Sequence, residues 1–255
     1  MRRSLVLPAI LAATPAFAQY TSSNRDIFDP NTGVWPAGGV TLNGTSFINL
    51  GLQGVGRFAA SATDPRSGET IGSFSDLQIT GFAKNPNGSY SGVFNSLPDR
   101  GYNSGAVFSN YGARINEFDF TFTPHTSSAT TTLQTQIGLT FKQSTLFTYD
   151  HDNNSATPAI PTTGLVANGA GSLLGVTVPI VTGNTTLQGL TVPGRLTVDA
   201  EGLAFDRRPG RDGSGWVSDE YGASIYHFNA NKELDGVLKV PEALVPHSPV
   251  GTVNF

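Results

Sequence analysis

The sequence predicts an all-β protein, a partial β-propeller of several four-stranded antiparallel blades. Three observations predict it. The 255 residues hold 30 glycines and 16 prolines, and their apolar residues fall in short alternating runs rather than at a helical period. Asn85-Pro86-Asn87-Gly88 separates two such runs, Leu77–Phe82 and Tyr90–Leu97, as a hairpin turn does. One pattern of strand, turn, strand, acidic tight turn and strand occurs twice, which is most of a four-stranded blade.

Taken in order, residues 1–18 read as a secretory signal. Arg2 and Arg3 form its basic start, Leu5–Ala13 its apolar run and Ala16-Phe17-Ala18 its cleavage site. The propeller domain is then expected over residues 19–255. No segment is apolar for the roughly 20 residues that a membrane span needs. Ser46–Leu50 is the first expected strand. Ile115–Phe122 places Phe118, Phe120 and Phe122 on one face, and Leu133, Ile137, Leu139 and Phe141 do the same in the next run. Thr145–Tyr149 follows. Residues 153–193 are rich in Gly, Asn, Thr and Pro, with two short apolar pieces, Leu173–Ile180 and Leu187–Val192. They read as a long insertion or as weak outer strands. Leu196–Asn229 supplies at least three more strands.

The repeat aligns Ser75-Asp76-Leu77 with Glu201-Gly202-Leu203. Tyr90–Phe94 and Asp99-Arg100 align with Trp216–Glu220, and Ala113–Asp119 with Ala223–Asn229. The offsets are 126, 120 and 110 residues, so the first copy is the longer one. At roughly 40–45 residues per blade, the interval between the copies has room for one or two divergent blades.

Charge and composition exclude several functions. The formal charge is −4, and without Arg2 and Arg3 it becomes −6. With no basic run, nucleic acid is not an expected partner. The absence of cysteine excludes disulfides, thiolate metal sites and cysteine nucleophiles. N-x-Ser/Thr sequons stand at Asn43, Asn87, Asn153 and Asn184, each a glycosylation site where the host provides the machinery.

The chemistry-bearing stretch is Leu196–Asn229, which sets Asp199, Glu201, Asp219 and Glu220 between short apolar runs. Carboxylates at strand ends suit a hard cation such as Ca2+, which takes six to eight oxygens. Glu201, Asp219 and Glu220 are therefore the candidate catalytic and metal-binding residues, while Asp199 reads as a turn residue. Aspartates at strand ends also cap tight turns through their own backbone. Arg100 is a candidate for holding an anionic group as a bidentate fork, or for tying the propeller together through an acidic neighbour. Arg207, Arg208 and Arg211 read as a solvated loop. Asp150–Asn154 reads as a polar hairpin turn, because Ser155 and Pro161 stand where a calcium loop needs Gly and Glu. The four histidines show no zinc-site spacing, and there is no Gly-x-Ser-x-Gly elbow, phosphate loop or dinucleotide fingerprint. Ser218 is the nearest approach to an esterase nucleophile.

The segments DAEGLAFD (199–206), GSGWVSDEYGASIYHF (213–228) and LPDRGYN (97–103) resemble the phytase-like domain family named "esterase-like activity of phytase". The resemblance is specific over 196–240, weaker over 70–120 and not visible across 153–193. It implies a secreted or periplasmic propeller that hydrolyses phosphoric or carboxylic esters, with a small anionic ester such as an inositol phosphate as substrate. Analogy with the better-known β-propeller phytases extends this to Ca2+-assisted hydrolysis. The alternatives are a metal-free carboxylic-ester esterase and a non-catalytic propeller that binds a ligand or partner. Family members usually continue past the segment matching Val240–Pro246, so the propeller is expected to be incomplete at its C-terminus.

Overall fold

The computed structural model describes residues 40–47, 53–72, 74–101, 109–125, 135–152, 154–183, 185–187, 190–192, 194–251 and 253. The secretory signal, Ile48–Leu50, Leu133 and the sequons at Asn153 and Asn184 lie outside them. The architecture is all-β and propeller-like. β1 (Val40–Leu42) and β2 (Thr45–Phe47) make a short hairpin around Asn43-Gly44. β3 (Phe74–Lys84), β4 (Tyr90–Pro98), β5 (Arg114–Phe122) and β6 (Ile137–Leu146) form a four-stranded antiparallel meander. β7 (Thr148–Tyr149) pairs with β8 (Ile160–Pro161) across the polar turn that begins at Asp150. β9 (Gly169–Leu173) and β10 (Val176–Val181) form a hairpin. β11 (Thr185–Leu187) and β12 (Leu190–Val192) form a smaller one, and β13 (Arg195–Leu196) pairs back onto β10. β14 (Ala200–Phe205), β15 (Gly215–Asp219), β16 (Ile225–Phe228) and β17 (Leu234–Leu238) close with a second four-stranded meander. A single 3-10 turn, Glu242–Leu244, follows.

Within the described residues the expected strands are present, Ser46–Leu50 only as far as Phe47, and so is the internal repeat. The Asn85–Gly88 turn joins β3 to β4, with Gly88 at φ +83° and its N–H on the Asn85 carbonyl. The three matched segments fall on the first, second and third strands of each meander. Of the two readings of residues 153–193, the described residues bear out short strands rather than a plain insertion, β8 to β12. They supply β9 and β10, which β13 completes as a three-stranded sheet.

Two apolar clusters hold the sheets. The larger joins Leu97, Ala113 and Phe147 beside the first meander to Val217, Tyr226 and Phe228 of the second, and takes in Leu173 and Val178 of the intervening sheet. The smaller gathers Phe94, Phe118 and Phe120 around Ile71, with Phe58 edge-on to Phe118 at 5.1 Å between ring centroids. Burying each large apolar side chain contributes about 1.5–3 kcal/mol, so these clusters are the main cohesive term. Polar ties fix how the sheets meet. The Leu203 N–H donates to Asp76 Oδ2 at 2.6 Å, so β14 lies against β3. The Thr148 N–H reaches the Lys232 carbonyl at 3.1 Å, and Thr163 bridges to Leu196 and Val198.

Candidate functional site

The site forms where the starts of β3 and β14 meet the ends of β4 and β15. In the second meander Ala200 pairs with Asp219 and Gly202 with Ser218, which leaves Glu201 as the extra residue of a β-bulge. The first meander has the same bulge, with Phe74 opposite Pro98 and Asp76 opposite Leu97, leaving Ser75. Ser75 and Glu201 are the residues that the repeat aligns. Bulges re-aim a side chain that a regular strand would send to one face. Here the same backbone device presents a hydroxyl from one blade and a carboxylate from the other.

Asp99 and Asp219 also occupy equivalent places and do equivalent work. Asp99 Oδ1 accepts the Gly101 N–H at 2.9 Å, and Asp219 Oδ1 accepts the Tyr221 N–H at 3.3 Å, each closing a turn two residues on. Asp219 goes further. It is only 3% exposed, and its carboxylate also accepts the Gly222 N–H at 3.1 Å and the Asp199 N–H at 2.9 Å. Burial outweighs those donors and pushes its carboxyl up to about 7. Asp219 thus staples the loop before β14 to the end of β15.

Asp199, at a position that reads as a turn, is a buried acid. Its Oδ2 accepts the Arg100 Nε–H at 2.5 Å, while its Oδ1 is buried with no hydrogen-bond partner. Arg100 also donates from Nη1 to the Gly164 carbonyl at 3.2 Å, and its guanidinium lies 4.3 Å from the centroid of the Tyr221 ring. Arg100 therefore ties its own segment to Asp199, Gly164 and Tyr221 and sets a positive charge beside the acids.

Asp99, Asp199 and Glu201 each present one oxygen to a common space, all within 4.8 Å of one another. Burial pushes the Glu201 carboxyl above its ordinary range, and Asp199, Asp99 and Glu220 push it further. Asp199 is raised by burial too, against the pull of Arg100. Among the predicted residues, Glu201 is in this cluster. Exposed Glu220 stands at its edge, with its backbone N–H on the Asp199 carbonyl at 3.0 Å. The buried Asp219 supports it from behind. Asp99 and Tyr221 are the members that sequence reasoning passes over. The aligned repeat carried the only available signal for Asp99.

These features define an all-β, propeller-like protein with an acidic site where two blades meet. The chain belongs to the Phytase-like family, described as esterase-like activity of phytase, which matches residues 70–252. An uncharacterized secreted protein of Arthroderma benhamiae is 30% identical over 220 residues, covering 80% of this chain and 39% of that protein. The chain therefore spans about two fifths of that relative's length. No solved structure matches it. No helix of the described residues is long and apolar enough to cross a membrane.

Proposed function

We infer that this is a secreted phytase-like hydrolase that cleaves phosphomonoesters or related esters with the help of a bound Ca2+. The carrying observation is the convergence of Asp99, Asp199 and Glu201 within 4.8 Å. Two oxygens bound to one Ca2+ at 2.3–2.6 Å can stand at most about 5 Å apart, so this spacing suits a shared ion. The unpartnered Asp199 Oδ1 supports the same reading, because a buried carboxylate oxygen with no donor is costly. The ion's contribution when bound is to offset the charge of the ester and acidify water.

The chain's own residues do the rest. Arg100, fixed by Asp199 and Gly164, attracts the anionic group of the ester. Glu201, solvent-accessible on its bulge, would hold the ion through one carboxylate oxygen and accept the proton of water through the other. Glu220 adds negative charge at the edge, and Asp219 positions Asp199. Secretion is supported by the signal-like residues 1–18 and by the relative's description as a secreted protein. The sequons at Asn43 and Asn87 lie in hairpin turns on the surface, where a glycan is accommodated.

Phosphate release from phytate and from p-nitrophenyl phosphate tests this reading directly. Turnover is expected with Ca2+, and its loss is expected in chelator and in Glu201→Gln. Chelator-insensitive cleavage of p-nitrophenyl acetate would instead indicate a metal-free esterase. A Ca2+-dependent rise in melting temperature with no turnover would indicate a binding protein.

A further inference from the structure

Away from the acidic site, the sequence contains three Asn-Gly pairs, at Asn43, Asn87 and Asn168. Asparagine before glycine carries its own reaction. The glycine backbone nitrogen, with no side chain beside it, loses its proton to water or hydroxide and attacks the asparagine Cγ. The side-chain nitrogen leaves as ammonia, and a succinimide ring remains. Water reopens that ring at either carbonyl, giving aspartate or isoaspartate. The step needs a glycine N–H that is not already committed, and an amide that can swing onto the glycine nitrogen. Since all three pairs share the same two residues, the surrounding structure decides which of them reacts.

Two of the pairs are held. Asn87 Oδ1 accepts the Ser89 N–H at 3.1 Å and the Ser89 hydroxyl at 2.7 Å, while the Gly88 N–H donates to the Asn85 carbonyl at 3.0 Å. The strands that this turn joins are 11 and 9 residues long, inside a four-stranded sheet. Asn168 Oδ1 accepts the Thr182 N–H at 2.8 Å and its hydroxyl at 3.1 Å. The Asn168 N–H donates to the Ile180 carbonyl at 3.1 Å, and Gly169 stands opposite Ile180 in the β9–β10 ladder. Asn43 differs on each count. It is exposed, and among the described residues neither its side-chain amide nor the Gly44 N–H takes part in a hydrogen bond. No atom lies within 4 Å of where a Cβ on Gly44 would stand. β1 and β2, three residues each, form a sheet of their own. An isolated two-stranded hairpin is marginally stable at best in water, so this turn opens far more readily than the turns of larger sheets.

We propose that Asn43 is a self-modification site, converting spontaneously to aspartate and isoaspartate while Asn87 and Asn168 persist. Either product adds a negative charge to the hairpin tip. Isoaspartate also routes the main chain through an extra methylene, which breaks the pairing of Leu42 with Thr45. Asn43 is the acceptor of an Asn-Gly-Thr sequon as well, so a glycan and this conversion compete for one side-chain nitrogen.

Ageing of the folded, unglycosylated chain in mildly alkaline buffer, followed by peptide mapping with mass spectrometry, tests this. Asn43 is expected to convert about tenfold or more faster than Asn87 and Asn168, the scale set by its easier local opening. Isoaspartyl methyltransferase should label the peptide that holds Asn43. In concentrated urea, where all three turns are lost, the three positions should convert at similar rates. An Asn43 that converts no faster than the other two in the folded chain, or an equal preference for Asn43 in urea, would overturn the proposal. Failure of phosphate release would bear on the acidic site alone.

Discussion

Arg100 and Asp199 set the stability of the site, because their side chains are only 13% and 7% exposed. Removing one partner of such a pair leaves a charge without compensation, at a cost of about 3–5 kcal/mol. Arg100→Met should lose stability on that scale in urea denaturation. Arg100→Lys should recover part of it, since an ammonium cannot serve Asp199 and Gly164 with a planar fork or stack on Tyr221 in the same way. Asp219 gives a second expectation. Its carboxyl is raised in the folded state to about 7, so the folded chain binds more protons than the unfolded chain between about pH 4 and 7. Its contribution is fully present below pH 4 and is lost as pH rises through 7. Asp219→Asn should flatten that fall in melting temperature across pH 4–7. At this scale the sequence identifies the acids and leaves their assignment open. Asp199 reads as a turn residue because its partner Arg100 lies 99 residues away.

The strand pairs carry their own signatures. β9 and β10 are joined by Leu174-Gly175, with φ at +51° and +79°. Both positions of this two-residue hairpin are left-handed, a conformation to which Leu is poorly suited. Leu174 is 54% exposed and contributes little packing, so Leu174→Asn should stabilise the chain by about 1 kcal/mol in thermal denaturation. The β3–β4 turn is legible in the sequence because Asn85–Gly88 holds its whole geometry locally. The intervening sheet is not, because β10 finds its second neighbour in β13, whose two residues show no periodicity of their own. The repeated bulge is hidden for a related reason. An aligned Ser75 and Glu201 look unrelated until the register shows that both stand outside the ladder.

Over the whole molecule, the two meanders meet through one apolar core and the site lies where their matching ends converge. The first meander also has an apolar outer face. Leu77, Ile79 and Phe82 are 50%, 41% and 61% exposed and lie over an apolar hollow of about 750 Å3 with Phe120 and Leu139. An apolar patch of this kind should bind a hydrophobic dye while the fold stays intact. Anilinonaphthalene sulfonate fluorescence should be enhanced at neutral pH and reduced in Phe82→Ser. In the proposed cation site, Asp99 and Asp199 from separate blades join Glu201. Calorimetric titration of Ca2+ tests it most directly. The structure predicts a single Ca2+ that is weakened about tenfold or more by Asp99→Asn or Glu201→Gln, and much less by Glu220→Gln. No heat of Ca2+ binding, or affinity unchanged in Asp99→Asn and Glu201→Gln, would contradict it.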